Sequence, residues 1–395
     1  MSRRIAIVTT KQPGTNPRMR KNADALAREG FDVHVLYAHN ARWADRTDVE
    51  VLSAADWTFQ RVGGHPDEEP LAYLTNRVRR KCAAWMGQIM TTFNPFQERY
   101  LKELKRFDPH LVIGHNPGSL PVLLKWGELG PVLFDAEDDH PGEFDLNSPE
   151  SGKVAQLENA TLPSIDHMTA ASPLIGRQYQ HRFPHLKATT IDNVFDRTLQ
   201  PEFSTPPNGP LKLVWFSQVV GLDRGLEEFL GHLAKAPSLS FELTIIGQCS
   251  PEVQQILSDA IPSDRHQISF EAPLPEKDLI RRLSEHHIGL ALETGTTRNR
   301  QLCRTNKLFC YPLAGCLTLA SDTEAQRQFM EEHPEAGVVF SDGEGLRSIL
   351  QAWHSNPNEL DAKRKAAWQL AHDTLHWETE SKKLLELVNT LIDAP

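Results

Sequence analysis

Short apolar runs alternate with amphipathic stretches along this chain, and that alternation sets the first expectation about its fold. Residues 5–8 form an apolar run. A loop holding glycine and proline follows at 12–17, and then 18–29 places Ala23, Leu26 and Ala27 at helical spacing before Gly30 ends the pattern. The next apolar run is 31–37. Strand, glycine loop, helix, glycine stop and strand together predict the opening of a doubly wound parallel sheet. Further strands are expected at 111–114, 132–134, 167–170 and 188–193, with helices over 97–107 and 119–126 between them.

Residues 196–210 break the rhythm. This polar stretch holds Pro201, Pro206, Pro207 and Pro210 and reads as a linker. Beyond it the α/β pattern starts again. Strands are expected at 211–216, 242–246, 267–270, 288–292 and 317–320, and helices at 225–236, 251–260, 276–286 and 307–313. The organisation predicted is a first α/β domain over 1–195, the linker, a second over 211–375, and a C-terminal helix over 376–395 that crosses between them. Two such units in tandem predict a central cleft at the carboxyl ends of their sheets, where ligands bind in folds of this kind.

Composition narrows the picture without changing it. The 395 residues suffice for two cores, and a formal charge of −10 argues against general nucleic-acid binding. Five cysteines, an odd number without paired metal spacing, read as the reduced thiols of a cytoplasmic protein. No apolar run is long enough to span a bilayer, and the N-terminal run, interrupted by Lys11, reads as a first strand rather than a signal peptide. One segment stands apart: 77–106 carries eight basic residues interleaved with Trp85, Met86, Met90, Phe93 and Phe96. Two readings fit it, a peripheral contact with a membrane surface or an ordinary helix with a solvated basic face.

Four places could hold chemistry. Gly14, between a strand and a helix, would let a ligand approach the backbone, although a plain turn looks the same. Asp135, Glu137, Asp138 and Asp139 put four carboxylates within five residues at a strand's end, beside His140 and with His115 in reach. Their mutual repulsion calls for a cation, a metal or a substrate. Arg224 precedes a predicted helix, and Lys307 follows Asn306 at the start of another. Asn306 is a good N-cap. A cation at a helix's positive end is unfavourable. Arg224 and Lys307 break that rule in the same domain, and one bound phosphate would account for both.

At these residues the chain resembles the retaining, nucleotide-sugar-dependent glycosyltransferases of the GT-B fold, the "group 1" family. Asn16-Pro17-Arg18 through Gly30 is similar to the family's N-terminal loop and helix, and Phe134-Asp135-Ala136-Glu137 to its strand-end acidic motif. Gly221 to Gly225 is similar to its donor-phosphate loop, and Asn306-Lys307-Leu308-Phe309 with Tyr311 and Gly315 to its most diagnostic motif. The resemblance implies two Rossmann-like domains, with the acceptor on the first and a nucleoside-diphosphate sugar, of UDP or GDP type, on the second. It implies no cofactor and no metal. Carried over by position, Glu137, Asp138 and Glu293 are the catalytic candidates. Gly14, Gln218, Arg224, Asn306, Lys307 and Cys310 are the donor-binding candidates, and Arg18, His115, Asp139 and His140 lie on the acceptor side. Two positions depart from the pattern. Cys310 stands where the family has a glutamate for the ribose, and Gln218 where it has an arginine that Arg298, Arg300 or Arg304 would have to replace. These departures leave two alternatives open: a non-catalytic nucleotide-sugar-binding or scaffold protein of polysaccharide assembly, and a nucleotide-sugar epimerase on the same fold. Acceptors implied are a glycan, a lipid-linked sugar or a small molecule, met in the cytoplasm or at the inner face of the membrane.

Overall fold

The structure, a computed structural model, describes residues 3–206, 209–235, 239–261 and 266–394. Pro207 of the expected linker and Ala236 at the expected end of a helix lie outside the described residues. Contacts divide the chain into two units. The first comprises Met1–Asp192, Thr297–Asn299 and Ser381–Pro395, and the second Asn193–Thr296 and Arg300–Glu380. The division therefore falls at Asp192/Asn193, ahead of the proline-rich stretch, and residues 297–299 and 381–395 group with the first unit.

The first unit is built on β1 (Arg4–Thr9), β2 (Asp32–Tyr37), β3 (Thr58–Arg61), β4 (Leu111–His115), β5 (Val132–Ala136), β6 (His167–Ala170) and β7 (Lys187–Thr190). They form a parallel sheet in the order β3-β2-β1-β4-β5-β6-β7. The central strands are covered on both faces, which is why they read as unbroken apolar runs: Ile5, Ala6, Ile7 and Val8 are all fully buried. The second unit uses β8 (Leu211–Val219), β9 (Phe241–Gln248), β10 (His266–Glu271), β11 (Ile288–Ala291), β12 (Leu317–Ser321) and β13 (Gly337–Phe340). Their order, also parallel, is β10-β9-β8-β11-β12-β13. The order reverses between β1 and β4 in one sheet and between β8 and β11 in the other, the positions where open α/β sheets bind ligands.

Two strands escaped the sequence reading, and both are edges. β3 is exposed at Thr58 and Phe59, and three of the four residues of β13 are only half-buried, so neither shows a buried run. Several helices also went unread, although some carry a local signal. Pro149–Thr161 and Pro173–Arg182 each begin on a serine whose hydroxyl accepts a first-turn amide, followed by proline at the first position. The 77–106 segment is spanned by three helices, Pro70–Trp85, Ile89–Phe93 and Gln97–Phe107.

Candidate active site

In the first unit the ends of β4 and β5 gather the acidic run. His115, the last residue of β4, is fully buried. Its Nδ1 lies 3.0 Å from Glu137 Oε1 and 3.2 Å from Asp135 Oδ2, so this nitrogen holds a proton and donates it. Nε2 faces Asn22 Nδ2 at 3.4 Å. Burial pushes the Glu137 carboxyl up, but the hydrogen bond and charge of His115, with Lys11 4.0 Å away, outweigh it and hold the group at about 2. The stability this carboxylate contributes is thus complete above its ordinary value of 4.5 and is lost as pH falls toward about 2. Glu137→Gln should flatten the acid limb, removing about 3 kcal/mol of pH-dependent stability. Urea unfolding of both proteins between pH 5 and 2.5 measures it, and parallel curves would refute the pairing.

The carboxylate run is compensated from within the protein. Arg18 donates to both oxygens of Asp135, at 2.8 Å from Nε to Oδ2 and 2.9 Å from Nη2 to Oδ1, and to the Ile191 carbonyl. It is buried. Breaking this pair leaves a buried carboxylate uncompensated, and Arg18→Ala should cost about 3–5 kcal/mol in equilibrium unfolding. An unchanged unfolding free energy would show that the guanidinium serves something else. Asp138 accepts from Asn299 Nδ2 at 2.8 Å. Its pKa is raised by burial, with Glu143 adding to the rise. Asp139 is buried and held by Arg298 at 2.5 and 2.9 Å. His140 is buried beside Glu143, 3.2 Å from its Nδ1. Burial works against its charge, but the Glu143 hydrogen bond and carboxylate raise its pKa overall. A carboxyl pushed toward its acid form and a histidine pushed toward its cation thus adjoin the ionised Glu137.

Gly14 packs closely within its own unit. Its amide donates to Asp48 at 2.5 Å, and a Cβ there would meet Asp48 at 2.9 Å and the Ala44 carbonyl at 3.1 Å. The glycine lets the turn pack against the helix Asp45–Ser53. A cavity of about 690 Å³ in this unit is lined by Lys11, Arg77, Arg80, Lys153, Tyr73 and Phe144, among others.

The second unit holds a cavity of about 600 Å³ at the ends of β8, β9 and β11. Gln218, Arg224, Glu293, Asn306 and Lys307 line it. Gln218 is exposed at the end of β8, beyond a register shift after Phe216. Arg224 precedes Gly225, whose φ of 80° starts the helix Leu226–Leu233. Arg224 makes no hydrogen bond or ion pair among the described residues. Lys307 is nearly buried, its Nζ 5.2 Å from the Trp215 ring centroid and 5.4 Å from that of Phe216. It too has no hydrogen bond or ion pair among the described residues. Burial lowers its pKa, Glu293 opposes the shift and Arg224 adds to it. Asn306 sits at the helix start, but its side chain does not cap the helix; its oxygen accepts from Asn193 at 3.0 Å.

Residues 224–386, less than half of the chain, match the family model described as "Glycosyl transferase-like". No curated protein matches the sequence. Among solved structures, the sucrose-phosphate synthase of Thermosynechococcus elongatus is similar with a TM-score of 0.71 at 14% identity, covering all of both chains. A glycosyltransferase from Rickettsia africae gives 0.72 at 13%, again over all of both chains. WaaG, a glycosyltransferase involved in lipopolysaccharide biosynthesis, gives 0.62 at 13% over 99% of this chain and 100% of its own. The fold is that of the GT-B glycosyltransferases.

In this GT-B chain the positions that depart from the family motif are also placed. Cys310 is fully buried in the helix Lys307–Ala314 and does not line the cavity. None of the three arginines proposed to stand in for the missing cation at Gln218 lines it either. Arg298 holds Asp139, Arg300 binds Asp223 and Thr294, and Arg304 pairs with Glu332. Sequence reasoning missed Phe216 and Trp215, the aromatic floor under Lys307. The signal was the adjacent aromatic pair at the end of a strand feeding a polar loop.

Proposed function

We propose that the chain transfers a glycosyl group, of hexosyl type, from a nucleoside-diphosphate sugar, with retention of anomeric configuration. The observation that carries this reading is the pairing of two cations, Arg224 and Lys307, without ion-pair partners among the described residues, in one cavity of the second unit. Both sit at helix starts, where the backbone already favours an anion. A diphosphate would supply the charge that both lack. As the sugar leaves, negative charge grows on that diphosphate, and pre-placed cations stabilise the growth. Glu293, its side chain 6% exposed and 4.0 Å from Arg300, would face the sugar, where positive charge develops. Two proteins of the same fold support the donor class: LpCGTa was solved in complex with UDP, and UGT2 of Phytolacca americana with UDP-2fluoro-glucose and pterostilbene. A glycan or lipid-linked acceptor in polysaccharide synthesis fits the first unit's basic, aromatic cavity.

Thermal unfolding against UDP, GDP, ADP and dTDP tests the donor. A nucleoside diphosphate at a hundred times its Kd adds about 2.7 kcal/mol, and one base should stand out. No stabilisation by any of them would refute the reading. The buried Cys310 and the neutral Gln218 favour one second reading, a nucleotide-sugar-binding protein without turnover. Stabilisation without release of diphosphate from any sugar nucleotide selects it.

A further inference from the structure

The helix Pro70–Trp85 turns its apolar side outward. Leu71 is 82% exposed, Leu74 55%, Val78 60% and Trp85 89%, with Met86 at 53% just beyond. At about 100° per residue, these helical positions and Cys82 fall within a strip roughly 80° wide. The opposite side is the packed one. Ala83 is 1% exposed, and Asn76, 9% exposed, donates to the Gly63 carbonyl at 2.6 Å. This inverts the usual arrangement, in which the apolar stripe faces the core. The stripe is flanked by cations, Lys81 on one side and Arg79 on the other, with Arg77 and Arg80 behind. The helix contains no Asp or Glu, although the whole chain carries a net charge of −10.

We infer that this helix docks the first unit onto an anionic lipid bilayer. An apolar stripe with a terminal tryptophan and flanking cations suits a helix lying in the plane of the interface, with its apolar side chains in the acyl boundary and its cations among the headgroup phosphates. A second copy of the chain is the competing occupant. Two-fold pairing of this face would bring the flanking Arg79 and Lys81 of each copy together with no acidic residue on either helix to neutralise them. The inference refines the membrane reading of 77–106 by moving the contact to 70–86, and it stands apart from the transferase reading.

Flotation of the full chain with phosphatidylcholine vesicles, with and without phosphatidylglycerol, tests it. The chain should float only with the anionic vesicles and should be released by high salt. Leu74→Ser, Val78→Ser and Trp85→Ser combined should abolish flotation. Arg79→Gln with Lys81→Gln should weaken it about thirtyfold. All these side chains are exposed, so the unfolding temperature should not move. A wild-type chain that stays unbound, or variants that float as it does, would overturn the inference. So would a dimer that forms without vesicle binding and is lost in the triple variant, which would assign the face to a second copy.

Discussion

Replacing Arg224 with alanine is expected to lower kcat/KM for sugar transfer about 100- to 1,000-fold, the loss that follows removal of one pre-placed donor to a charge that grows in the transition state. The apo protein should unfold within about 0.5 kcal/mol of the wild type. Those two outcomes belong together. A side chain without a hydrogen bond or ion pair among the described residues has little to lose from the fold, so its value must lie in what enters the cavity. Arg224→Lys should recover part of the rate, because a point charge replaces some of the guanidinium's attraction but not its fork of donors. A variant with wild-type turnover would remove Arg224 from the donor site. A variant that unfolds would give it a structural role.

Lys307→Met is expected to separate stability from binding in opposite directions. The ammonium is nearly buried without a carboxylate in ion-pair range among the described residues, and burial lowers its pKa. A lysine whose folded pKa lies below its ordinary 10.5 destabilises the fold while charged. Wild-type stability should therefore rise as pH climbs from the folded pKa toward 10.5, and the methionine variant should lack that rise. At neutral pH the apo variant should be at least as stable as the wild type, because methionine fills the same space and keeps a favourable contact with the Trp215 and Phe216 rings. The nucleoside-diphosphate stabilisation of about 2.7 kcal/mol at a hundred times the wild-type Kd should disappear. Calorimetric unfolding with and without the ligand reads both quantities. A destabilised apo variant, or one that keeps the ligand shift, contradicts the role given to Lys307.

The fold was legible where burial is symmetric. Strands β1 and β4 are buried along nearly their whole length, so their apolar runs show directly in the sequence, and 167–170 was read at its observed bounds. β3 and β13 are short, half-exposed edges, and nothing in Thr-Phe-Gln-Arg separates an edge strand from a loop. In the second unit the reading rested on a local electrostatic rule. Cations at two helix starts pointed to a common anion, and the structure puts both side chains in one cavity with Glu293. The first unit resisted for the opposite reason. Arg18 is compensated by Asp135, 117 positions away, and Asp139 by Arg298, 159 positions away. Spacing along the chain carries no trace of such pairings, so the sequence could not show that these candidates are engaged with one another in the interior. Cys310 shows the same limit: its helix is buried on all sides, which no amphipathic pattern announced.

The central claim is that this chain breaks the bond between a sugar and a nucleoside diphosphate. The measurement that tests it most directly is release of the diphosphate from a panel of sugar nucleotides, each incubated with the wild-type chain and with Arg224→Ala. Release from one donor, slow without an acceptor and reduced about 100-fold or more in the variant, is the result predicted. Sugar nucleotides that bind the wild-type chain and come through intact, with and without candidate acceptors, would contradict it.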